Sequence, residues 1–301
     1  MKRSAVIALA LTLTLSLCSC VSQKPARDTS VTKSASASST ENSKKAETGT
    51  SKQTSRSSKS TENDKTAAAT ANSAAATANS AAPTANSAAP TAAEQKAEEI
   101  MKGNLKNKSY NIDVPFINQN PELPTGCESV SLAMAFNALG YPTSKTELAD
   151  NYMPIGGSYV TTFFGDPHKN DGTGIYPPGL VQTAQNYIDA KNLDVSPVDL
   201  TDKDFKDFYK IIENGYPIVF WITGELYDPY TYDDEDFHEM YNGRDYPWIT
   251  NIHCIVMNGY DTEDGTVTFT DPLSGTKVYD EDRVEYVYNQ IGLAMTLIKN
   301  D

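Results

Sequence analysis

The sequence predicts an α+β fold for residues 100–301, with a helical N-terminal half packed on a mainly antiparallel sheet. Three observations lead there. From Cys127 to Gly215 the apolar residues recur at helical spacing. After Gly215 they fall into short β-rich runs bounded by Gly, Pro and Asp. About 200 residues also suffice for one good core, so a single folded domain is expected.

Residues 1–19 read as a signal segment. Lys2 and Arg3 precede "AVIALALTLTLSL", an apolar run too short for a membrane span of about 20 residues. "LCSC" then sets Leu17 and Ser19 at the third and first places before Cys20, which resembles the lipobox of bacterial lipoproteins. The resemblance implies cleavage before Cys20, a diacylglycerol on its thiol, and an extracytoplasmic protein lipid-anchored to the bacterial cell membrane. Cys18 does not suit that role, because Leu17 stands where a small residue is required. The alternative is an ordinary signal peptide with chance cysteines.

Residues 20–99 read as a disordered Ser/Thr/Ala-rich tether. "SASASSTENSKKAETGTSKQTSRSSKS" offers almost nothing to bury. From Thr70 a seven-residue unit, "TANSAAA", repeats three times with small changes. It has no large apolar residue for a coiled-coil seam, and Pro83 and Pro90 interrupt any helix. Charge divides at the same boundary. Residues 1–100 hold 12 Lys and Arg against 8 Asp and Glu, whereas residues 101–301 hold 13 against 31. A mildly basic tether suits an anionic membrane or wall. A strongly acidic domain argues against nucleic-acid binding, which needs basic patches.

Within the domain, "YNIDVPF" (Tyr110–Phe116) reads as a short strand. "CESVSLAMAFNALG" reads as a helix closed by Gly140, and Ser144 with Glu147 as a capping box for a second helix. "PPGLVQTAQNYIDAKN" opens a third behind two prolines, and "TDKDFKDFYKIIENG" gives a fourth from Thr201 to Gly215. The strands expected after it are "YPIVFWIT", "NIHCIVMNGYD", "TVTFTDP", "TKVYD" and "GLAMTLIK". Residues 224–248 form an acidic, aromatic insertion, expected to be a loop.

Cys127 heads the first helix, where the positive end of the helix dipole favours a thiolate. Of the three histidines, His253 alone lies inside an apolar strand, which holds a ring in place for proton transfer. If that strand and the next pair through "TEDG", Asp271 comes alongside His253 and fixes its tautomer. Gln119, across a loop held by Pro121 and Pro124, can add a side-chain N–H to the Cys127 backbone N–H as an oxyanion hole. Glu128 sits beside the proposed nucleophile, favourable to the dipole and unfavourable to a thiolate.

The ordered set "VPFINQNPELPTGCESVSLAMAFNALGY", "GTGIYPPGLVQTAQNY", "GYPIVFWIT", "HCIVMNGYD" and "VTFTDPLSG" resembles the papain-like, bacteriocin-leader-processing cysteine peptidases of family thirty-nine. It is most similar to their stand-alone branch, over residues 110–297. The resemblance implies a papain-like fold, no cofactor, and a peptide or protein substrate. It makes Cys127 the nucleophile, His253 the base, Asp271 the orienting acid and Gln119 the oxyanion donor. Transporter-linked members usually carry Gly after the cysteine, where this chain has Glu128, so double-glycine leader cleavage is not implied.

Other readings compete. Cys127 and Cys254 could form a disulfide, although His253 and Cys254 should point to opposite faces of their strand. "DDEDFHE" (Asp233–Glu239) could suggest a metal site, but its spacing fits no calcium loop and a solvated loop is expected, with no metal. Cell-wall peptides are a further substrate class, and a catalytically silent binding lipoprotein a further function. The protein is expected to act as a monomer.

Overall fold

The computed structural model describes residues 89–232 and 235–300. The signal segment, Cys18, the lipidation residue Cys20, the tether up to residue 88 and Asp233–Asp234 of the acidic run lie outside the described residues.

Helical order starts before residue 100, inside the segment expected to be tether. α1 (Ala92–Lys102) opens on a reciprocal cap: Thr91 Oγ1 accepts the Glu94 N–H at 3.2 Å, and Glu94 accepts the Thr91 N–H at 2.6 Å. Ala93, Ala97 and Met101 are buried. Alanines that offer little area alone can pack a helix closely once a surface is supplied, and only the folded domain supplies it.

β1 is short (Ser109–Asn111). α2 (Cys127–Ala138) runs almost wholly buried from Glu128 to Phe136 and ends before Gly140, whose φ of +88° breaks the helix. α3 (Lys145–Asn151) is capped by Ser144, which accepts the Glu147 N–H at 3.1 Å. β2 (Ile155–Gly156) and β3 (Phe163–Phe164) form a small parallel pair. α4 (Pro177–Lys191) starts on its two prolines as expected, and β4 (Val195–Asp199) follows it.

α5 spans only Asp207–Glu213 rather than beginning at Thr201. The Thr201 N–H is taken by the Asp199 carboxylate at 2.8 Å. Asp202 sits at φ +60°, its N–H bonded to Gly292 O and its carboxylate gripped by Arg244. Residues pinned in this way cannot wind into a first turn. β5 (Ile218–Thr223) is next. The acidic insertion is not a plain loop, because β6 (His238–Tyr241) and β7 (Arg244–Pro247) pair as a hairpin within it. β8 (Ile252–Asp261), β9 (Thr266–Asp271), β10 (Gly275–Asp280), α6 (Glu281–Ile291) and β11 (Ala294–Lys299) complete the chain.

The main sheet is antiparallel in the order β10-β9-β8-β5-β11-β4, with β1 also paired to β8. Adjacent residues of β5 show its two buried faces. Phe220 joins an aromatic cluster with Phe205, Phe208, Phe269 and Tyr288 beneath α5 and α6. Trp221 faces the other side, where its Nε1–H donates to Ile175 O at 3.1 Å. α2 packs on that side against β8 and β5.

Candidate active site

The start of α2 lies where a strand would otherwise continue. Trp221 and Cys254 oppose each other across β5 and β8, and the Trp221 N–H is turned away to Leu293 O. The Cys254 N–H and C=O therefore point toward β9, but β9 ends at Asp271, one step short of pairing with them. α2 fills the gap. Ser131 Oγ donates to Cys254 O at 3.0 Å, and the Cys254 backbone N–H is directed at the Cys127 thiol. The first turns of the helix thus meet the backbone of Cys254, the residue after His253, and place Cys127 beside it.

His253 and Asp271 are brought together by the pairing of β8 and β9. His253 Nε2 lies 3.0 Å from Asp271 Oδ1. Asp271 also accepts the Leu273 N–H at 2.7 Å and the Ser274 hydroxyl at 2.8 Å. Burial alone pushes this carboxyl up, but the bond from His253 and the two from the turn outweigh it and hold Asp271 at about 2. Both side chains border a cleft of about 590 Å³ whose other walls include Thr223, Asn251 and Lys277.

Gln119 is buried, and its backbone N–H donates to Pro272 O at 2.9 Å, tying its loop to the residue after Asp271. Its side-chain Nε2 donates to Pro124 O at 2.8 Å, so at least one amide hydrogen spans the loop that leads into Cys127. Oε1 has no protein partner among the described residues.

The electrostatics of Cys127 differ from the sequence expectation. Burial raises the thiol well above its ordinary range, and the neighbouring Glu128 carboxylate raises it further. A helix dipole contributes about 0.3–1 kcal/mol, and desolvation of the half-buried thiol together with the Glu128 charge outweighs it. Among the described residues the hydrogen-bond acceptor of the thiol is Glu128 Oε2, at 3.3 Å, and not His253. Glu128 is itself buried, and its Oε1 accepts the Ile175 N–H at 3.1 Å. Burial lifts Glu128 to about 7 despite these donors. Gly174 is required beside it, since a Cβ there would meet Glu128 Oε1 at 2.6 Å. The sequence placed an acid next to the cysteine without deciding its effect; its inward orientation decides it.

Cys127 and Cys254 are both free thiols. The remaining histidines stand apart, His168 paired with Asp150 at 2.7 Å and His238 with Asp245 at 2.9 Å. Among the described residues no group of three or more His, Cys, Asp or Glu side chains could hold a metal ion, and no helix is long and apolar enough to cross a membrane.

The sequence pattern of the Peptidase_C39 like family matches residues 111–295. The uncharacterised protein YvpB of Bacillus subtilis (strain 168) is 31% identical over 210 residues, covering 66% of this chain and 79% of YvpB. A proposed C39-like peptidase from Bacillus anthracis, known from its crystal structure, is 29% identical with a TM-score of 0.54, covering 64% of this chain and 98% of its own. Xylellain, a cysteine protease from Xylella fastidiosa, is 13% identical with a TM-score of 0.37, covering 68% of this chain and 89% of its own.

Proposed function

Since this chain belongs to the Peptidase_C39 like family and has its papain-like α+β fold, we propose that it hydrolyses peptide bonds through a thioester on Cys127. The observation that carries the reading is the His253–Asp271 bond of 3.0 Å, made one residue before Cys254, whose backbone N–H is directed at the thiol. With Nε2 committed to Asp271, Nδ1 of His253 is the nitrogen left to exchange a proton with the sulfur.

Attack begins when the thiol proton passes to His253 and the sulfur adds to the amide carbonyl. The Cys127 N–H and the second Nε2 hydrogen of Gln119 donate to the oxyanion. The C–N bond breaks as the imidazolium gives its proton to the leaving amine. Water, deprotonated by the same imidazole, then opens the thioester and returns the thiol. The substrate is a peptide or protein and no cofactor enters. Within the same reading the domain acts as a monomer outside the cytoplasm, held to the membrane by lipid on Cys20.

A second reading, a substrate-binding protein without turnover, is favoured by the protonated thiol resting on Glu128. Incubation of the protein with a mixed peptide library, followed by mass spectrometry, separates the two. New termini that require Cys127 are expected, and Cys127→Ala should remove them. A library left intact by protein whose Cys127 is reduced would sink the hydrolase. Release of muropeptides from purified cell wall would instead identify cross-link peptides as the substrate.

A further inference from the structure

A second cleft is walled in part by Thr173 and Trp248, close to Gly174. It encloses about 200 Å³, below the roughly 300–1,000 Å³ of a small-molecule site and suited to one large side chain. Its walls include the rings of Tyr159, Phe164, Phe237 and Trp248, and Glu239 joins them. Trp248 is fixed by Tyr159 at a ring-centroid distance of 5.2 Å and by stacking on Tyr176 at 6.1 Å. Phe164 and Phe237 stay exposed, 44% and 39%, although each could have been buried in a core of this size. Exposed aromatic rings gathered at a concave site mark a binding surface.

Glu239 gives the cleft a charge. Its Oε2 accepts the Ser158 hydroxyl at 2.6 Å and its Oε1 the Tyr159 N–H at 3.1 Å. These bonds aim the carboxylate while leaving each oxygen a further lone pair. Aromatic faces beside an anchored carboxylate are the environment that recognises a cation, through ring quadrupoles and a charge-assisted hydrogen bond together. The domain around it is acidic, with 13 Lys and Arg against 31 Asp and Glu over residues 101–301, so its field also favours basic partners.

The cleft and the thiol share a neighbour. Glu128, which accepts from Cys127, and Trp248, which walls the cleft, flank the same glycine: a Cβ on Gly174 would meet Glu128 Oε1 at 2.6 Å and Trp248 Cη2 at 3.8 Å.

We propose that this cleft is a specificity pocket for a basic side chain, lysine or arginine, of the peptide on which Cys127 acts. The assignment rests on the peptidase reading for its purpose, but not for its measurement. Capped peptides carrying Lys, Arg, norleucine or Glu at successive positions are titrated into the Cys127→Ala protein, with tryptophan fluorescence as the signal. At one position the Lys and Arg peptides should bind about tenfold more tightly than the norleucine peptide. Glu239→Gln, which keeps an acceptor for the Tyr159 N–H, should abolish that preference. Phe164→Ala, at an exposed ring, should weaken it and serves where Glu239→Gln does not fold. Norleucine binding as tightly as Lys at every position, or a preference that survives both variants, overturns the pocket. Turnover by the unmodified protein is scored separately. Cleavage with no basic preference overturns the pocket and keeps the peptidase, and a basic preference without cleavage does the reverse.

Discussion

The Cys127 thiol donates to the Glu128 carboxylate at 3.3 Å, and the same carboxylate anchors the Ile175 N–H at 3.1 Å. A negative charge so close opposes a thiolate. Glu128→Gln keeps an oxygen for Ile175 and removes the charge, so iodoacetamide should alkylate Cys127 faster at pH 8. The gain is about tenfold for each pKa unit by which the thiol falls. Labelling at the unaltered rate would show that burial alone holds the thiol neutral.

Glu128 also sets a pH dependence of stability. Its carboxyl rises from 4.5 to about 7 on folding. Between those values the unfolded chain has released a proton that the folded chain retains. Stability is therefore highest below 4.5 with respect to this group, and falls by on the order of 3 kcal/mol as pH rises to about 7. Urea unfolding at pH 5 and pH 8 reads this fall, which Glu128→Gln should largely remove. An equal fall in the variant would assign it to other groups.

Asp271 has the opposite sign. Its carboxyl falls from 3.8 to about 2 on folding, so its contribution is present above 3.8 and is lost as pH drops through 2. Asp271→Asn should lower kcat by roughly three to four orders of magnitude while changing KM little, because the imidazole loses the partner that orients it. It should also reduce the loss of stability between pH 4 and pH 2. A kcat within a few-fold of the parent would remove Asp271 from the machinery.

Gln119 serves two readings that kinetics can divide. Removing its bond to Pro124 O should lower the melting temperature of Gln119→Ala in either case. If the amide also meets the oxyanion, kcat falls by about 100-fold or more at a temperature where the variant is fully folded. Unchanged kcat with only a lower melting temperature confines Gln119 to loop support.

Much of this arrangement was legible in the residues. The helical spacing behind Cys127, the two prolines before α4 and the β-rich runs after Gly215 report which surfaces must be buried, and burial follows local periodicity. α6 was legible too, since Val284, Val287, Tyr288 and Ile291 recur at helical spacing behind the Asp280 cap, yet it was not expected. α1 was hidden because Ala93 and Ala97 look like more tether until β4 and α5 give them a surface.

The sequence by itself determined the fold class, the helix that Cys127 heads, and the two strands that bear His253 and Asp271. Those follow from near-neighbour patterns and hold whatever packs around them. Only the tertiary structure decided that β9 stops where α2 begins, so that the Cys254 N–H is directed at the Cys127 thiol. It alone turned Glu128 inward, against Gly174 and Ile175, where burial and this carboxylate together push the thiol up and disfavour the thiolate. The reason is that desolvation depends on what surrounds a group from every side, and residues distant in the chain supply those sides.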